Sequence, residues 1–276
     1  MRSILLFLFV FLCLCITVKM TDFKKEPEHK IIPENKIEKK QEETYDEPNW
    51  IKYPPLKPFV LKNGKVLSDI RCHINDNGYY NDSDLVTAGH ETTHGINSDI
   101  RNKNYSGVPI NGFYCLEDRG IILNEPKVHI KVIASEVPKS LRGSVYKLYL
   151  VDQAASGWDD RALYLLDEWT SYTNGSEVRK DLGMEKRAET VRYMLEFSVY
   201  VMTLTKVVAE KEPSYDAKKL KDFVRWNVER SMKIYNNEQE ATEYLEKFRN
   251  NEDAQSLREF LKVYFGVEWC KKILGI

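Results

Sequence analysis

The chain has 276 residues, with 41 lysines and arginines against 42 aspartates and glutamates. That length suffices for one large or two small domains with a substantial core. So even a charge balance excludes the basic footprint of a nucleic-acid binder and any charge-driven hold on an anionic membrane.

Met1-Arg2-Ser3 leads into a nearly unbroken apolar run from Ile4 to Val18. One positive charge followed by an apolar stretch shorter than the roughly twenty residues of a spanning helix predicts a secretory signal peptide over residues 1–20. No Ala-x-Ala cleavage pattern follows, which leaves an uncleaved membrane anchor as the alternative. Either way the chain is expected to be secreted or extracytoplasmic. Residues 21–57 are rich in Lys and Glu with scattered prolines, too poor in apolar side chains for a core, and are expected to be a disordered charged linker. Cys72 and Cys115 either form a disulfide, as export would permit, or are buried thiols. Asn81, Asn104 and Asn174 begin glycosylation sequons.

The folded part is expected from about Pro58. Asn63-Gly64 between short apolar runs predicts a hairpin. The polar stretch Asn75 to Asp84 ends in helix-capping residues, so a helix should run from Leu85 to Ile100. Phe113–Leu116 and Val128–Ile133 read as strands. From Ser135 the pattern turns helical, with candidates at 137–151, 159–173, 185–210, 216–235, 238–248 and 254–265. The fold class is therefore α+β, mainly helical, with a small sheet and a helical C-terminal region over 212–276 that packs on the rest.

Histidine is scarce, five in all, and two lie four residues apart in His90-Glu91-Thr92-Thr93-His94. Four residues make just over one helical turn, so both imidazoles point the same way and can grip one metal ion, with Glu91 beside the first. A zinc-bound water next to a carboxylate is the machinery for hydrolysing amides. Ala88-Gly89 before the motif and Gly95 after it are small enough for other segments to approach closely.

Zinc needs a third protein ligand. A third histidine six residues after His94 is excluded, because that position is Ile100. Glu168 is the leading candidate: it lies in the apolar and aromatic run Leu163 to Tyr172, where a buried carboxylate must be neutralised. An ion pair to Arg101, Arg142 or Arg161 would neutralise it equally well. Asp167, Glu189, Glu196 and His129 are the other possible ligands, with Glu189 and Glu196 expected on a solvent-facing side of their helix. Asn97 or Asp99 could orient a ligand imidazole through its second nitrogen.

The motif with a downstream helical glutamate resembles the zincin metallopeptidases, in the gluzincin arrangement of two histidines and one glutamate. The resemblance covers the motif helix and Glu168, over a longer interval than in the best-known members. It implies a zincin-like catalytic domain over 58–211, holding one Zn²⁺ per chain on His90, His94 and Glu168. Glu91 would move the proton from the zinc-bound water to the leaving amine. Tyr172, one turn after Glu168, would stabilise the oxyanion, with His129 and Tyr149 as rivals. The expected function is an exported zinc metallopeptidase acting on a protein or peptide substrate. The alternatives are a catalytically weak zincin used as a binding module and a zinc amidase acting on a non-protein or cell-wall substrate.

Overall fold

In the computed structural model, which describes residues 46–184, 188–235 and 238–276, the chain is mainly helical with a three-stranded antiparallel sheet. The expected export segment 1–20 and the linker up to residue 45 lie outside the described residues. The strands are β1 (Ile51–Lys52), β2 (Ile110–Tyr114) and β3 (Arg119–Asn124), ordered β1-β3-β2. The principal helices are α1 (Lys65–Cys72), α2 (Leu85–Asn104), α3 (Ile130–Glu136), α4 (Tyr164–Asp181), α5 (Ala188–Lys211), α6 (Ala217–Ile234), α7 (Gln239–Asn250) and α8 (Gln255–Phe265). Among the described residues no helix is long and apolar enough to cross a membrane.

The fold begins earlier than the composition suggested. Trp50 packs edge-on against Trp226, Ile51–Lys52 pairs with β3, and Tyr53 is buried. Residues from about 48 to 57, expected to belong to the linker, are therefore part of the fold, because three large side chains in this polar stretch have a place in the core.

Asp84 starts α2: its carboxylate accepts the Val86 and Thr87 amide hydrogens, a cap that stabilises a helix by about 1 kcal/mol. The helix lies across the sheet at Gly112, where a Cβ would stand 2.4 Å from the Ile100 side chain. On its other side α4 crosses at Gly89 and Gly175. A Cβ on Gly89 would meet Val178 at 2.9 Å, and one on Gly175 would meet the Val86 carbonyl at 3.3 Å. These glycines set how closely the two helices approach.

The larger core surrounds α5, which buries Met194, Phe197, Tyr200, Met202 and Leu204 among others, each contributing roughly 1.5–3 kcal/mol relative to exposure. The helices α6, α7 and α8 pack on α5, and the described residues belong to one unit, with no division at residue 211. A smaller core of Leu67, Ile70, Ile96, Ile100 and Tyr114 lies between α1, α2 and the sheet.

Three local expectations are corrected. Asn63-Gly64 does not turn a hairpin; it leads into α1, with Gly64 at the N-cap. Val128–Ile133 is not a strand, because residues from Ile130 form α3, capped from a distance: the Asp159 carbonyl accepts the Ile130 amide hydrogen and its carboxylate accepts that of Lys131. The stretch 137–158 is no regular α-helix but a 3-10 turn at Lys139–Leu141 followed by π turns over Lys147–Asp152 and Ala154–Trp158. Cys72 and Cys115 are separate, buried free thiols, so the disulfide alternative is not realised. The Asn174 sequon is fully buried in α4, which leaves it closed to glycosylation.

Candidate metal centre

The turn spacing of α2 brings the two imidazoles together, with His90 Nε2 3.1 Å from His94 Nε2. From the crossing helix α4, Glu168 Oε2 arrives 3.8 Å from His90 Nε2 and 3.6 Å from His94 Nε2. Glu168 is 5% exposed, and this oxygen is buried with no hydrogen-bond partner. None of the arginines proposed to neutralise it does so. Arg101 bonds Asn111 and Ser98, Arg142 bonds backbone carbonyls, and Arg161 faces Asp160.

Donors from two imidazoles and one carboxylate thus converge on one point. A four-coordinate zinc with bonds of about 2.1 Å needs donors about 3.4 Å apart, and the observed 3.1, 3.6 and 3.8 Å bracket that value. The residues fit a divalent metal ion. Glu91 Oε1 lies 3.9 Å from His90 Nε2, and it too could complete a donor set with the histidines. Its carboxylate is 43% exposed, however, so water neutralises it without a metal, whereas the buried Glu168 oxygen has no such recourse.

Hydrogen bonds on the outer side orient His94 and Glu168. Asp167, adjacent to Glu168, takes the Nδ1 side of His94 at 3.1 Å, and Ser171 Oγ is 3.2 Å from the same nitrogen. Asn97 donates to Asp167 at 2.5 Å and accepts the Tyr114 amide hydrogen at 2.7 Å, tying the His94 orientation to the end of β2. Asp99 plays no part there; it is engaged with Tyr53 and Lys103. The Tyr164 hydroxyl donates to Glu168 Oε1 at 2.5 Å. His90 is held by packing: the Tyr172 ring lies against it at 4.3 Å, while its Nδ1 is buried without a partner.

This environment separates the two histidines. Burial, with His94 alongside, holds the His90 pKa well below its ordinary value. Burial also works to lower His94, but the Asp167 and Glu168 carboxylates outweigh it and leave His94 well above the ordinary value. Burial raises the Glu91 carboxyl, with His94 opposing the shift and Glu168 and Asp167 adding to it. The Tyr172 hydroxyl is pushed up to about 12, mainly by burial, and it pairs with the Tyr149 hydroxyl at 3.0 Å.

The remaining candidates are placed elsewhere. His129 is half exposed at the start of α3 and pairs with Asp159. Glu196 is 1% exposed rather than solvent-facing, and its carboxylate accepts the Val145 amide hydrogen and the Ser144 hydroxyl hydrogen. Glu189 sits in the first turn of α5. The partners that escaped the sequence pattern are Ser171, Tyr164 and Gln153; the one signal near them was the paired acid Asp167-Glu168 inside an otherwise apolar helix.

A second donor cluster, Asp69, Cys72 and His73, lies at the end of α1. His73 Nδ1 is 2.7 Å from the Asp69 carbonyl oxygen and 2.8 Å from the Tyr114 hydroxyl, and Nε2 is 2.9 Å from Asp118. Burial, with Asp69 and Asp118 adding to it, pushes the Cys72 thiol up to about 11, away from the thiolate a metal prefers. Compared with known proteins, the chain matches no family, no curated protein and no solved structure.

Proposed function

We propose that this chain is an exported zinc-dependent metallopeptidase with a zincin-like active site, in which His90, His94 and Glu168 hold one zinc ion. One observation carries the reading: the buried, partnerless Glu168 Oε2 faces both histidine Nε2 atoms. A carboxylate oxygen in that position is costly unless a cation neutralises it. Export rests on the apolar run after Arg2.

Zinc, when bound there, supplies Lewis-acid chemistry, polarising a scissile carbonyl and acidifying a water. Glu91, half exposed beside His90, accepts the proton of the attacking water and returns it to the departing amine nitrogen. Burial raises its pKa, which makes the carboxylate a better proton acceptor than an exposed one. The paired Tyr172 and Tyr149 hydroxyls keep their protons; one donates to the other, and the hydrogen left over can go to the oxyanion of the tetrahedral intermediate. Asp167 holds the His94 ring so that its other nitrogen faces the metal. A site kept only for binding metal would need the two histidines and Glu168 but not Glu91.

Purified full-length chain should hold about one zinc ion per molecule by elemental analysis. It should cleave an unfolded protein, and Glu91→Gln should keep the zinc while losing roughly 100- to 10,000-fold in rate. Zinc-free wild type, or a mutant that turns over at the wild-type rate, would overturn the reading.

A further inference from the structure

Glu168 has two carboxylate oxygens with different surroundings. Oε2 faces the histidines without a partner, while Oε1 accepts the Tyr164 hydroxyl hydrogen at 2.5 Å. Tyr164 is itself buried, one turn before Glu168 on α4, and Trp158 stacks on its ring with centroids 4.7 Å apart. The same hydroxyl also meets the Gln153 side-chain amide.

A tyrosine hydroxyl has one hydrogen to give. The charged carboxylate is the stronger acceptor, so that hydrogen belongs to Glu168 Oε1. Gln153 must then present its NH₂ group to the tyrosine oxygen, an orientation reached by a half-turn of the amide. The result is a directed chain: Gln153 donates to Tyr164, and Tyr164 donates to Glu168.

We infer that Tyr164, oriented by Gln153, is a positioning residue that holds back Glu168 Oε1 and so makes Glu168 a single-oxygen metal ligand. A carboxylate free to turn could bind through both oxygens and occupy the coordination position that the attacking water needs. Gln153 lies between the two π turns of 147–158, so the relay also ties the third ligand to a stretch exposing Leu148, Val151 and Trp158. The inference rests on the metallopeptidase reading for the presence of the metal, but it concerns how many Glu168 oxygens reach that metal.

The test is Tyr164→Phe, which keeps the stacked ring and removes only the hydroxyl. Chelator competition should show zinc held roughly 10- to 100-fold more weakly. The cobalt-substituted protein should lose visible absorption intensity, because four-coordinate Co²⁺ absorbs far more strongly than five- or six-coordinate Co²⁺. A purely structural role would lower the melting temperature of the metal-free protein and leave the cobalt spectrum unchanged. Gln153→Ala should shift affinity and spectrum in the same direction by a smaller factor, and it decides the matter if Tyr164→Phe does not fold. Wild-type affinity and spectrum in the folded variant would overturn this assignment alone. A wild type that binds neither zinc nor cobalt would overturn the metallopeptidase reading and this inference together.

Discussion

Tyr114, at the end of β2, stands between two buried histidine clusters that use similar residues to opposite ends. Its hydroxyl reaches Asp69 and His73 on one side, while its backbone amide feeds Asn97, and through it Asp167 and His94, on the other. Around His73 both ring nitrogens meet hydrogen-bond partners, and the neighbouring thiol is kept neutral. Around His90 and His94 two nitrogens and a carboxylate oxygen converge within 3.1 to 3.8 Å, and Glu168 Oε2 and His90 Nδ1 have no hydrogen-bond partner. The first arrangement is complete as it stands and braces the fold. The second leaves a buried carboxylate oxygen unpaired, and the proposed metal ion would complete it. Donor type alone does not separate them; satisfaction of the buried polar atoms does.

This contrast can be broken by experiment. The largest effect is expected from Glu168→Ala, which removes the partnerless oxygen. Zinc affinity should fall on the order of a thousandfold, about 4 kcal/mol of the metal-binding free energy. Unchanged zinc content at limiting metal would place the third ligand elsewhere. Asp167→Asn keeps an acceptor beside His94 but removes its charge, and should weaken zinc roughly 10- to 100-fold in a chelator titration. No change would mean that Ser171 suffices to orient that ring.

The smallest effect on metal is expected from the other cluster. His73→Leu leaves the Asp118 and Asp69 groups without their buried partner and should cost about 3 kcal/mol in a denaturant titration. Zinc per folded chain should stay at the wild-type level. Loss of zinc from the folded His73→Leu protein would show that the two clusters are not independent, or that the metal sits at the end of α1.

Legibility in the sequence followed the range of the interactions involved. The start of α2 was readable because its cap, Asp84, is local, and the helices from α5 to α8 were readable because their apolar spacing extends over several turns. The region around Asn63-Gly64 was misread because two or three apolar residues cannot distinguish a period of 2 from one of 3.6. Val128–Ile133 was misread because its β-branched residues favour a strand, while the cap that makes α3 helical comes from Asp159, distant in sequence. Glu196 was expected to face solvent, yet it is buried because the turn at Gly143–Val145 folds onto it and supplies hydrogen-bond donors.

That His90 and His94 share one helix face with Glu91 beside them follows from the 3.6-residue turn alone. The residue types also narrow the third donor to a few acids and one histidine, since only groups able to neutralise or bind a cation could serve. Which of these acids comes near the histidines, and whether it is buried there, depends on the packing of segments far apart in the chain. The close α2–α4 crossing at Gly89 and Gly175 brings Glu168 to the histidines, and the same crossing strips water from its second oxygen. Burial and partnership are properties of segments far apart in the chain, so no local pattern could encode the difference between the cluster that is closed and the one that is open.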